Sequence, residues 1–94
     1  VMKLKSDTIN VYNSLGIIYR RQGRLDDAIE QYQKALRVHP RDEHIYYNLA
    51  RVYLEMNDFE NSEKALKTAL EINPEFSPAR EMRRAMEMGL KIHA

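Results

Sequence analysis

The residue types that most often do chemistry are sparse in this chain and poorly spaced for it. Three histidines, His39, His44 and His93, lie scattered, and none pairs with another at the i, i+4 spacing of a helical metal site. There is no cysteine, which excludes disulfides, thiolate metal sites and a cysteine nucleophile. Neither a glycine-rich phosphate loop nor a Ser, His and Asp arrangement is present. Asp26 and Asp27 read as acids opening a helix, where negative charge offsets the helix dipole, rather than as an acid–base pair. Enzymatic activity has no residue-level support, and neither a metal nor a cofactor is expected.

Composition narrows the alternatives. Apolar residues at 44% and charged residues at 31% are globular values. Three glycines and three prolines leave little turn material, which favours a few long helices over many strands. Net charge is +1, so no broad field selects nucleic acid or an anionic membrane. A nucleic-acid reading would rest on Arg20, Arg21, Arg51, Arg83 and Arg84, and the charge balance argues against it. No apolar run approaches the ~20 residues that span a bilayer, and no signal peptide is visible. The absence of cysteine favours a reducing compartment, the cytoplasm. The chain opens on Val1 rather than Met, so a piece of a longer protein is expected.

The elements follow from an internal repeat. A shift of 34 residues carries Pro40 onto Pro74, Tyr12 onto Tyr46, Leu15 onto Leu49 and Tyr19 onto Tyr53. It also carries Ala35 onto Ala69 and Leu36 onto Leu70, while Gly16 meets Ala50. Within each unit the apolar residues step by three and four, as in Tyr12, Leu15, Tyr19 and in Ile29, Tyr32, Leu36, which is helical spacing. Gln22-Gly23-Arg24 and Met56-Asn57-Asp58 break the units in half. Gly and Asn tolerate the left-handed backbone that ends a helix, and Asp58 can cap the next one. The pattern predicts helices over 7–21, 25–38, 42–55, 59–71 and 78–92, with Asp42 capping the third. Ser77 and Pro78 mark the start of the last.

Tyr12-x-x-Leu15-Gly16-x-x-Tyr19, Ala28-x-x-x-Tyr32 and Pro40 together resemble the tetratricopeptide-repeat (TPR) pattern, with Tyr in place of Trp; Tyr46-x-x-Leu49-Ala50-x-x-Tyr53 and Pro74 repeat it. The resemblance implies an all-α solenoid, the C-terminal part of a longer repeat protein, with repeats at 9–42 and 43–76 and a capping helix at 77–94. The second unit departs at Ser62 and Leu66, where the pattern prefers Ala and an aromatic, and a looser fit between its helices is expected there. In the last helix, Arg80, Arg83 and Glu87 replace the packing residues on one face, while Ala79, Met82, Met86 and Leu90 keep an apolar stripe on another. That stripe suits a cap, or alternatively a helix docked in a partner's groove. Val1, Met2 and Leu4 fall in register with Ala35, Leu36 and Val38, so 1–8 reads as the tail of a preceding repeat or as a leader.

In this family the first helix of each repeat lines a concave groove. The resemblance places Asn13, Ile17 and Arg20 there from the first unit, and Tyr47, Asn48 and Arg51 from the second. Asn13, Asn48 and Tyr47 suit a peptide backbone, and Arg20 and Arg51 can pair with carboxylates. Some members grip acidic C-terminal tails through Lys and Asn on successive first helices. Asn48 matches that clamp, whereas Asn13, Ile17, Pro78 and Met82 do not, so a tail clamp is disfavoured. The expected role is a scaffold that binds a protein or peptide, with an architectural end-cap as the alternative. Self-association into a homo-oligomer is expected at high concentration.

Overall fold

The computed structural model describes residues 5–93, with side chains for 7–89. The described residues form five helices and no strand: α1 (Lys5–Arg21), α2 (Leu25–Val38), α3 (Glu43–Glu55), α4 (Phe59–Ile72) and α5 (Ser77–His93). α1 with α2 and α3 with α4 are the two closely packed hairpins. α2 packs on α3, and α4 on α5, which links them into one stack.

The repeat visible in sequence recurs in the backbone. α1 ends with Arg24 N–H donating to Tyr19 O at 2.8 Å and Gly23 N–H to Arg20 O at 3.0 Å. Thirty-four residues on, Asp58 N–H donates to Tyr53 O at 2.9 Å and Asn57 N–H to Leu54 O at 3.0 Å. Both are the paired bonds of a Schellman C-cap, with Gly23 at φ 78° and Asn57 at φ 61° in the left-handed position it requires. α2 and α4 stop alike: His39 and Asn73 turn extended at φ −138°, as a residue before proline prefers. Asp42 Oδ1 accepts from His44 and Ile45 N–H at 2.9 and 3.3 Å, and Asp58 Oδ1 from Asn61 N–H at 3.2 Å, so both expected caps form.

Two boundaries differ from expectation. α1 begins at Lys5, two residues before the expected start at 7 and within the stretch read as a tail or leader; Ser6 stands where a proline would have broken the chain. Val1, Met2 and Leu4 lie outside the described residues, as does the Leu90 side chain. α5 begins at Ser77, one residue before the expected 78, and its first bond runs from Arg80 N–H to Phe76 O at 3.3 Å.

The core is built from small residues that admit large ones. The Tyr32 ring, wholly buried, lies directly over Gly16, where a Cβ would collide with it. Ala28, Ala35, Ala50, Ala69 and Ala79 are likewise fully buried between helices. The second hairpin reaches the same closeness differently. Ser62, expected to loosen the fit, is fully buried and donates its hydroxyl to Ala50 O at 2.8 Å, and Leu66 beside it is fully buried too. The hydroxyl finds a helical carbonyl with a spare lone pair, so the swap leaves no polar group unpaired and the hairpin stays tight.

Candidate peptide-binding face

α1 and α3 run side by side, and two side-chain links join them. Asn48 Nδ2 donates to Asn13 Oδ1 at 2.6 Å, and Arg20 Nη1 donates to Glu55 Oε1 at 2.9 Å. Each pair is 35 residues apart, one more than the repeat, so each links a side chain to the next residue along in the adjacent first helix. Arg20 is only 15% exposed and is a fixed part of this face. From below, the Tyr32 phenol comes within reach of the same charges. Burial raises its pKa above the ordinary 10.0, Arg20 and Arg51 pull it back, and Glu55 pushes it further up.

Four of the six residues expected on this face therefore meet one another through α1–α3 links or around Tyr32: Asn13, Asn48, Arg20 and Arg51. Ile17 lies half-buried one turn beyond Asn13 on α1. Tyr47 faces a different neighbour. Its ring stands edge-on to Phe76 at 5.9 Å, and His44 meets the same ring at 4.8 Å. Phe76 escaped sequence reasoning because it lies in the connection before α5, outside any helical periodicity. Its one visible signal is register: it falls 34 residues after Asp42, at a helix start.

The pairings leave capacity unspent. Asn13 retains its amide N–H2 group, and Asn48 its carbonyl oxygen and one N–H. Arg51 is exposed, and no described carboxylate lies within ion-pair distance of it. A backbone laid along α1 and α3 would find donors and acceptors in a fixed row, with one unengaged cation beside them. The histidines offer less. Asp42, Glu43 and His44 bring ligand-type atoms within 4.8 Å of one another, but Asp42 is occupied as a cap and Glu43 accepts from Asn73 Nδ2 at 3.1 Å. His39 sits 3.5 Å from Asp42 Oδ2, and the His93 side chain lies outside the described residues.

The family model described as tetratricopeptide repeat matches residues 7–75. The chain belongs to the tetratricopeptide-repeat family. Its curated relatives include the uncharacterized protein ycf37 of Pyropia yezoensis, 34% identical over 64 residues, covering 68% of this chain and 36% of that protein. Another is the tetratricopeptide repeat domain-containing protein PYG7, chloroplastic, of Arabidopsis thaliana, 29% identical over 87 residues, covering 93% of this chain and 29% of the relative. The TPR chain thus spans roughly a third of the length of these relatives. Among solved structures, the first TPR of Spaghetti (RPAP3) bound to HSP90 peptide SRMEEVD superposes with a TM-score of 0.86 at 26% identity, over 94% of this chain and 72% of that one. The TPR fold is a protein-interaction fold, and no described helix here is long and apolar enough to cross a membrane.

Proposed function

We propose that this TPR chain holds a partner peptide, or an extended segment of a partner protein, against the face formed by α1 and α3. The observation that carries this reading is the linked row Asn13–Asn48 and Arg20–Glu55, which fixes the two first helices in register while leaving amide groups and Arg51 available. A structural relative that carries a bound peptide supports it. Asn13, Ile17, Asn48 and Tyr47 would seat the backbone, and Arg51, with Arg20 behind it, would meet an acidic side chain. The repeats then run 9–42 and 43–76, with 77–94 as cap. The cysteine-free composition favours the cytoplasm, and the chloroplastic relative makes a plastid the competing site.

Peptides selected by display against the wild-type chain provide the probe. Replacing Asn48 and Arg51 together with Ala should weaken them by about 1–3 kcal/mol, while the lost Asn48–Asn13 bond should cost the fold no more than about 0.5–1.5 kcal/mol. The Arg51 share should shrink with added salt and the Asn48 share should not. If instead Gln31→Ala with Lys34→Ala on α2 removes binding and the first pair does not, the second-helix side is the binding surface and this reading fails.

A further inference from the structure

The 34-residue register extends to α5, and there it changes character. Arg80, Arg83, Arg84 and Glu87 stand where Tyr46, Leu49, Ala50 and Tyr53 stand on α3, and Tyr12, Leu15, Gly16 and Tyr19 on α1. On α1 and α3 these positions close each hairpin: the Tyr32 ring lies over Gly16, and the Ala50 carbonyl takes the Ser62 hydroxyl. On α5 all four are charged and exposed. Arg84 replaces the small residue that close approach requires, so a second helix of the α2 or α4 kind would meet its long side chain. The side chains themselves, whatever the extent of the chain, suit this face to water or to a polar partner. Beside it an open cleft of about 330 Å³ runs between the end of α4 and α5, lined by Leu70, Pro74, Arg80, Arg83, Arg84 and Glu87. Its charge is mostly unspent. Arg80 Nη1 lies 3.6 Å from Glu75 Oε2, and Arg83 Nε lies 3.7 Å from Glu87 Oε1, both too long for hydrogen bonds. No described carboxylate lies within ion-pair distance of Arg84.

We propose that this cleft binds an extended acidic segment of a partner protein, in which an apolar residue alternates with two acidic ones. Charge complementarity carries the choice of partner. Three arginines line the cleft against one carboxylate, Glu87, while Glu81 borders the neighbouring hollow beside Ser77, Arg80 and Arg84. The planar guanidinium fork takes a carboxylate in a bidentate pair. The spacing fits an extended chain. Arg80 and Arg84 are four residues apart on a helix, which is about 6 Å along its axis. Side chains two apart on an extended strand lie about 6.6 Å apart and point the same way. Two carboxylates with one residue between them therefore reach both arginines. The residue between them points to the opposite wall, where half-buried Leu70 and exposed Pro74 offer apolar contact. A lone phosphate would engage the arginines and leave that wall bare. Glu87 competes with the partner for Arg83. The described lining comes from α4, the connection after it and α5, so the site is separate from the face formed by α1 and α3.

A dye-labelled peptide centred on Glu-Leu-Glu, titrated with the whole chain, tests this by fluorescence anisotropy and by backbone amide shifts of the labelled chain. The shifts should concentrate at 70–74 and 80–87, and added salt should weaken binding. Arg80→Gln with Arg84→Gln should weaken it roughly 5–10-fold, the worth of two partly exposed ion pairs, and Arg80→Lys with Arg84→Lys should recover part of that loss. Glu87→Gln should tighten binding about 2-fold by freeing Arg83. Circular dichroism should show the helicity of every variant unchanged, since all three positions are exposed. A Glu-Ser-Glu peptide should bind more weakly than the first, and a Gln-Leu-Gln peptide should not bind. Asn48→Ala with Arg51→Ala should leave binding of the Glu-Leu-Glu peptide as it is. No binding to the wild-type chain would overturn the proposal, as would full binding by the Arg80→Gln, Arg84→Gln chain. Equal binding of Glu-Ser-Glu would reduce the cleft to a general anion site and overturn it too. Shifts gathered at Asn13, Asn48 and Arg51 instead would assign acidic segments to the first-helix face and leave the cleft without a partner.

Discussion

The two hairpins carry nearly the same pattern, yet equivalent side chains live in different surroundings. Ile45 and Val52 are sealed, whereas Val11 and Ile18, at the same positions one repeat earlier, face solvent. The first hairpin achieves closeness by deleting a side chain at Gly16 so that Tyr32 can enter; the second keeps Ala50 and gives up the aromatic, with Ser62 bonded to the Ala50 carbonyl instead. Burial in a stacked array is thus a property of the neighbour as much as of the residue. A repeat unit cannot cover both of its apolar faces alone.

The largest effects should come where packing is closed from both sides. Gly16→Leu drives a side chain into the Tyr32 ring, and Ala69→Asp buries an unpaired charge, so each should lose roughly 2–4 kcal/mol in chemical denaturation. Lys67→Ala, exposed on α4, should change little, and three equal small shifts would show that these packing positions are misassigned. The hairpin contrast itself is tested by Ile45→Ala against Ile18→Ala. The first should cost about 2–4 kcal/mol and the second about 0.5 kcal/mol. Equal costs would mean that Ile18 is covered in solution.

A smaller effect should appear at high pH. The Tyr32 phenol is raised above 10.0 by burial, so the unfolded chain releases that proton first as pH rises. The Tyr32 contribution to stability is then complete below the unfolded value near 10 and is lost as pH climbs through the folded value. Tyr32 should be among the last phenols to ionise in an ultraviolet titration. Arg51→Ala, which removes a cation that lowers its pKa, should delay it further. An earlier transition in that variant would place Arg51 elsewhere.

Much of the architecture was legible because it rests on local signals that repeat. Gly23 and Asn57 at the turns, Asp42 and Asp58 at the caps, and Pro40 and Pro74 at the stops each act within a few residues. The first-helix links were not legible. A 34-residue period says which positions are equivalent, but Arg20–Glu55 and Asn13–Asn48 join positions 35 apart, an offset set by how neighbouring helices lie against one another. The Asn side chains, read as free for a partner, in fact share one bond. The Tyr47–Phe76 contact was hidden for a related reason, since Phe76 belongs to a connection whose path only the packed structure defines. Ser62 was expected to loosen the fit because it departs from the alanine of the pattern, and the sequence does not show the Ala50 carbonyl that receives its hydroxyl.

The central claim is that partners lie on the first-helix face. Backbone amide shifts of the isotope-labelled chain, recorded while a display-selected peptide is added, measure this without perturbing the fold. The account predicts that the largest changes cluster at Asn13, Ile17, Tyr47, Asn48 and Arg51, with Gln31, Lys34, Lys64 and Lys67 on α2 and α4 nearly still. Changes concentrated on those second-helix residues, with Asn48 and Arg51 unmoved, would contradict it.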